Sequence, residues 1–284
     1  MTASPQSLRE RICAYYGATV DSSYLPNWSG AALSFHFGLA DESTPSLTEA
    51  HAATNARVAE LARIRAGMTV LDAGCGIGGT SIWIAQHRRA KVTGITIDPH
   101  QVELARGFAK ERGVDDLVEF HCIDYAATGL APSSFDVVFN LESFCHAHDP
   151  KAYVAHAFSL LKSGGRFVCV DMFRGSAGDP AHARAMCDGW VLPSLRSIEE
   201  TLAIVSGAGF VGVEREDLTR QALRPAAALK AAAERQAFRM RVEREFASVV
   251  PNPYFEGHIL GGIGAAEGME SGSVTYGYVG GRKP

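Results

Sequence analysis

The chain has 284 residues, 46% of them hydrophobic, and a formal net charge of −4. That size and composition fit one large globular domain, or a domain carrying an elaborated lid. The acidic balance offers no positive field to a polyanion, which argues against a nucleic-acid partner and for a small molecule. Six cysteines (13, 75, 122, 145, 169 and 187) are scattered with no CxxC pair, so neither a disulfide framework nor a zinc site is expected. No apolar run reaches membrane-spanning length, and a cytoplasmic setting without membrane attachment is the default expectation.

Residues 1–60 read as a helical arm around a loop, with Ser4-Pro5 opening one helix and 47–64 forming a longer one. The arm is free to pack on its own body or on a second copy, so a homo-oligomer is compatible with the sequence. Strands are then expected at 68–72, 91–96, 117–121, 135–140, 165–170 and 210–217, with helices between most of them. Such alternation implies a parallel, doubly wound sheet, whose ligands bind beyond the carboxyl ends of the strands. Past Leu218 the pattern becomes helical over 226–246, breaks around Pro251-Asn252-Pro253, and closes on a strand at 274–279.

The first strand runs into Val70-Leu71-Asp72-Ala73-Gly74-Cys75-Gly76-Ile77-Gly78-Gly79, an apolar run that ends in an acid and breaks into glycines. Glycines let the backbone approach a ligand, and the helix that follows (80–87) presents unpaired N–H groups at its start. A bare GxGxxG suits a dinucleotide. Asp72, two residues before the first glycine, would repel a pyrophosphate and suits a ligand with a cationic amine and sulfonium.

Asp72-Ala-Gly-Cys-Gly resembles the nucleotide-binding motif of class I methyltransferases that use S-adenosylmethionine (SAM). That resemblance implies a Rossmann-like α/β fold: a seven-stranded sheet with the last strand antiparallel, and a helical lid inserted before it at about 219–265. The arm (1–60) would stand apart from a methyltransferase domain (61–284). SAM would be the cofactor, leaving as S-adenosylhomocysteine.

The resemblance also assigns residues. Asp72, Gly74, Cys75 and Gly76 form the glycine-loop site, and Asn140 stands at the end of the fourth strand. Gly94-Ile-Thr96-Ile-Asp98-Pro-His-Gln101 departs from the common pattern, which puts an acid at Thr96. It is similar to the branch with Thr-x-Ser-x-x-Gln, in which Thr96 and Gln101 contact the cofactor; Asp98 reads as a helix N-cap, with a contact to the cofactor's ribose as the alternative. Asp124 would meet the adenine amine with Tyr125 beside it. Tyr16 and Ser34 belong to a segment resembling the N-terminal lid of the sterol, tocopherol and cyclopropane-fatty-acid branches, where a tyrosine covers the methionine end of SAM.

Glu142-Ser-Phe-Cys-His146-Ala, at the reacting position, resembles sterol C-methyltransferases and, at its glutamate, geranyl diphosphate C-methyltransferases. Methylating an alkene leaves a carbocation that a carboxylate can stabilise and deprotonate, so Glu142 is the candidate base. Trp28, Phe35, Phe37, Phe144 and Trp190 are candidate cation-facing aromatics. A second reading stays open, O- or N-methylation with His146 as base, and His148 reads as a solvated loop residue. A diphosphate acceptor would need cations, for which Arg174, Arg196 and Arg220 are candidates, and Mg²⁺ is expected only with such an acceptor. A non-catalytic SAM-binding module and a nicotinamide dehydrogenase are the competing classes.

Overall fold

The computed structural model describes residues 5–21, 30–247 and 252–284. Its strands are β1 (Thr69–Ala73), β2 (Lys91–Thr96), β3 (Val118–Cys122), β4 (Phe135–Leu141), β5 (Leu161–Arg174), β6 (Val211–Asp217) and β7 (Val274–Arg282). They form one sheet in the order β3-β2-β1-β4-β5-β7-β6. β1 to β5 pair in parallel, while β7 runs antiparallel between β5 and β6. The expected seven-stranded sheet with an antiparallel last strand is therefore observed.

Successive residues of the central strands point to opposite faces. Val70, Val92, Val137, Phe139 and Val168 pack on one side, and Leu71, Ile95, Val138, Phe167 and Cys169 on the other. Both faces need a helical cover, and this explains why these strands read as continuous apolar runs. The cover comes from α2 (Leu47–Leu61), α3 (Gly79–Arg88), α4 (Pro99–Glu111), α5 (Pro150–Leu160) and α7 (Ile198–Gly207). α1 (Pro5–Thr19) packs near α9 (Pro253–Ser271), which also packs on α6 (Pro180–Gly189) and α8 (Thr219–Ala247).

Four of these helices begin with the same device, an Asp or Asn N-cap followed by proline: Asp98-Pro99, Asp149-Pro150, Asp179-Pro180 and Asn252-Pro253. The acid or amide accepts an orphan N–H, and proline fits a first turn that needs no donor. α8 begins at Thr219, seven residues before the expected start, and passes through Pro225. Proline leaves the carbonyl four residues earlier without its helical donor. Here that carbonyl, Gln221 O, accepts the Ala40 amide at 2.9 Å, so the helix continues. α6 and α9 meet backbone to backbone: a Cβ on Gly189 would stand 2.2 Å from the Gly257 carbonyl oxygen.

β5 is longer than expected, reaching Arg174, and β7 pairs with it from Arg166–Arg282 to Arg174–Val274. This register sets Tyr276 beside Met172, near the end of β4. Among the described residues, no helix is long and apolar enough to cross a membrane.

Candidate active site

The carboxyl ends of β1 to β4 open into a cavity of about 530 Å³, closed by α1, the segment after residue 32, α8 and α9. Tyr16, Ser34, Asp72, Gly74, Cys75, Gly76, Thr96, Gln101, Asp124, Tyr125, Glu142 and His146 all line it. Asn140 does not. Strand alternation turns its side chain away from the cavity, where it donates to Ala73 O and Ser143 Oγ, each at 2.8 Å, and accepts the Tyr153 hydroxyl at 2.6 Å. It braces the glycine loop from behind.

At the β1 and β2 tips the geometry follows from backbone constraint. Gly74 has φ 99, and a Cβ there would stand 2.3 Å from the Ser143 Cβ, so only glycine fits. Asp72 is buried and accepts the Ser81 hydroxyl at 2.7 Å; burial pushes its pKa up to about 7 despite that bond. Burial also holds the Cys75 thiol well above its ordinary range. Thr96 Oγ1 donates to Gln101 Oε1 at 2.7 Å. Asp98 also lines the cavity: Oδ1 caps α4 by accepting His100 N–H at 2.9 Å, while Oδ2 is buried with no partner among the described residues. Asp124 caps the turn after β3 by accepting Ala126 N–H, and the Tyr125 hydroxyl donates to Ser143 O. The Ser34 hydroxyl is spent on Ala32 O at 3.1 Å.

These residues fit SAM. The tips of β1, β2 and β3 each carry a carboxylate acceptor facing the cavity, and one has a buried oxygen with no donor among the described residues. SAM carries an ammonium, ribose hydroxyls and an adenine amine to meet them.

At the β4 tip, Glu142 has φ 51, a conformation that costs a non-glycine residue energy and clusters at functional sites. Its Oε1 accepts the Phe37 amide at 2.6 Å and the Tyr276 hydroxyl at 2.9 Å. Burial, opposed by the Phe37 bond and reinforced by nearby Asp171, raises its pKa to about 8. Asp171, itself raised to about 6 by burial, accepts the Cys145 and Met172 amides and ties the Glu142–His146 turn to β5. His146 Nε2 lies 3.2 Å from the Tyr16 hydroxyl, and burial lowers its pKa to about 4, so the ring is neutral near pH 7. Tyr16 stacks on Phe35, and Trp190 donates to His258 O.

Several expected residues fall elsewhere. Phe144 is buried against Tyr153 on the α5 side of the sheet, off the cavity. Arg174 pairs with Glu200, and neither it, Arg196 nor Arg220 lines the cavity. Arg9, Arg235 and Arg239 stand there instead. Trp28 lies outside the described residues. Phe35, Phe37 and Trp190 line the cavity, as does exposed His148. Sequence reasoning missed Tyr276, Asp171 and the Phe37 amide as partners of Glu142 and its turn, because no local pattern links positions so far apart.

A family profile described as a methyltransferase domain matches residues 71–169. The 24-methylenesterol C-methyltransferase 2 of Oryza sativa subsp. japonica is 33% identical over 230 residues, covering 76% of this chain and 61% of that one. The chain thus spans about three fifths of that sterol enzyme's length. The 27-O-demethylrifamycin SV methyltransferase of Amycolatopsis mediterranei (strain S699) is 34% identical, covering 65% of this chain and 69% of that one. A solved geranyl diphosphate methyltransferase, in complex with geranyl diphosphate and sinefungin, shares the fold at a TM-score of 0.77 and 20% identity, covering 98% of this chain and all of that one. With the sheet order, the glycine loop and these relatives in agreement, the chain belongs to the class I SAM-dependent methyltransferases.

Proposed function

We propose that the protein methylates an alkene carbon of a small isoprenoid, a prenyl diphosphate or a terpenoid, with Glu142 as general base. The observation that carries this reading is the strained, anchored Glu142. A non-glycine residue at φ 51 holds a carboxylate over an aromatic-walled cavity with Oε1 fixed by two donors. The described residues make no hydrogen bond to Oε2.

SAM, when bound, supplies an electrophilic methyl group on a sulfonium. Methylation of one alkene carbon leaves a tertiary cation on its neighbour. Glu142 Oε2 stabilises that charge, then takes the adjacent proton so that a double bond re-forms, a role worth about 10²–10⁴ in rate. Phe35, Phe37 and Trp190 offer π-faces that stabilise the cation without trapping it. α1, α8 and α9 act as the acceptor-side lid. Arg9, Arg235 and Arg239 at the cavity favour an acceptor with an anionic head, and any Mg²⁺ would arrive with a diphosphate.

A second reading, O- or N-methylation with His146 as base, is favoured by its neutral ring and by the rifamycin relative. Turnover of methyl-labelled SAM with geranyl diphosphate, a neutral terpenoid and a phenol, with the methyl position assigned, decides between them. A new carbon–carbon bond supports the Glu142 mechanism. Transfer to oxygen or nitrogen alone moves the chemistry to His146.

A further inference from the structure

The six cysteines are scattered along the chain, yet the fold brings two of them to one atom. Cys13 lies on α1 and Cys122 ends β3. Both thiols donate to the Ile97 carbonyl oxygen just past the tip of β2, Cys13 at 3.7 Å and Cys122 at 3.6 Å. A carbonyl oxygen has two lone pairs, so it seats both donors at once and holds the two sulfurs side by side. Burial raises the Cys13 thiol most, Asp98 and Cys122 add to it through space, and Arg9 opposes them.

The other four cysteines offer no comparable pair. Burial holds the Cys75, Cys145 and Cys169 thiols well above their ordinary range and pushes Cys187 up to about 11. Such thiols are poor nucleophiles. Cys145 and Cys169 interact with each other, but both are buried beyond the reach of an oxidant. Cys122 is exposed and Cys13 is partly so. An oxidant therefore meets Cys122 first, and the mixed disulfide it leaves there stands next to Cys13.

We propose that Cys13 and Cys122 form a redox modification site, at which a low-molecular-weight disulfide such as oxidised glutathione ties α1 to the tip of β3. The Cys122 thiolate attacks one sulfur of the oxidant and releases one glutathione. The Cys13 thiolate then attacks Cys122 Sγ and releases the second. The protein gives up two thiol hydrogens and two electrons, and one glutathione disulfide becomes two glutathione thiols. α1 carries Arg9, Tyr15 and Tyr16 onto the cavity, and Ile97 and Asp124 line it beside the two cysteines. The cross-link holds α1 against the strand tips and slows exchange of the cofactor. That consequence rests on SAM occupying the cavity; the cross-link rests on the cysteines alone.

The test treats the reduced, full-length protein with excess oxidised glutathione, then maps its peptides without reduction and follows S-adenosylhomocysteine release by stopped flow. We expect two of the six thiols to be lost and the Cys13 and Cys122 peptides to be joined within one chain. Cys13→Ser should stop with a glutathione on Cys122, and Cys122→Ser should keep all its remaining thiols. Release from the cross-linked wild type should slow about tenfold or more and recover with dithiothreitol. Cys13→Ser carrying its glutathione should release at the rate of the reduced protein. A glutathione retained on wild-type Cys122, or a bond between the Cys122 residues of two chains, overturns the proposal. A cross-link that leaves release unchanged overturns its effect on exchange. Failure of the reduced protein to bind S-adenosylhomocysteine overturns the cofactor reading instead, and the peptide map still decides the cross-link.

Discussion

At the β1–β3 end of the cavity the side-chain bonds of Asp72, Thr96 and Asp98 are local: Ser81 reaches Asp72 across nine residues, Gln101 meets Thr96 across five, and His100 meets Asp98 across two. At the β4 end such bonds span the chain. Phe37 and Glu142 are 105 residues apart, Tyr16 and His146 are 130, Tyr276 and Glu142 are 134, and Tyr15 and His258 are 243. The proposed cofactor end is thus written into short segments that fold with their own strand and helix, while the proposed acceptor end exists only once the sheet, α1 and α9 have docked. A substitution in the first region should damage binding of the cofactor; one in the second should change what is methylated, and how fast.

The largest effect should come from the local end. Gly74→Ala places a Cβ at φ 99 and 2.3 Å from Ser143, so we expect a loss of about 2–5 kcal/mol, measured by urea unfolding, together with cofactor binding. A fully stable Gly74→Ala would show that the loop has room to move.

The pH dependence of binding separates the two ends more finely. Glu142 starts near pKa 8 and Asp72 near 7, so both are partly or largely protonated at neutral pH. A sulfonium beside Glu142 favours its ionised form, so binding SAM below pH 8 releases a proton. The Kd for SAM should therefore fall as pH rises, by up to about tenfold per unit, and level off above about pH 8. S-adenosylhomocysteine has the ammonium without the sulfonium, so only Asp72 contributes and its slope should flatten above about pH 7 while that for SAM continues to about pH 8. Identical slopes for the two ligands would place Glu142 away from the sulfonium.

Smaller changes are expected from the long-range partners. Tyr276→Phe removes one donor from Glu142 Oε1 and should slow methyl transfer about tenfold, with S-adenosylhomocysteine affinity nearly unchanged. Arg239→Ala, at an exposed position on the cavity, should raise KM for a prenyl diphosphate by about threefold and leave a neutral terpenoid unaffected. Arg174→Ala, paired with Glu200 and away from the cavity, should change neither.

The same contrast explains what the sequence makes legible. Asp72 and the glycines announce themselves, because strand, acid and tight turn sit within a few residues and their physics is local; Thr96 and Gln101 are legible only through the family resemblance. The alternation of apolar runs likewise gives the parallel sheet, whereas its antiparallel last strand is what the family resemblance implies. Asn140 was expected at the cofactor because it ends β4, yet the alternation of that strand turns it toward Tyr153. Phe144 is turned from the cavity too, into the α5 side of the core. Tyr276 was visible as a strand residue, but its bond to Glu142 depends on the register of β7 on β5. The cavity arginines come from α1 and α8, whose docking no motif records.

The central claim is that Glu142 removes the proton that alkene methylation leaves behind. It is tested most directly by the single-turnover rate of methyl transfer from labelled SAM to geranyl diphosphate in Glu142→Gln, with S-adenosylhomocysteine affinity measured alongside. We expect a fall of at least about a hundredfold in rate with affinity held within about threefold. A variant that forms the carbon-methylated product at close to the wild-type rate would contradict the claim and leave Glu142 as a brace for the loop.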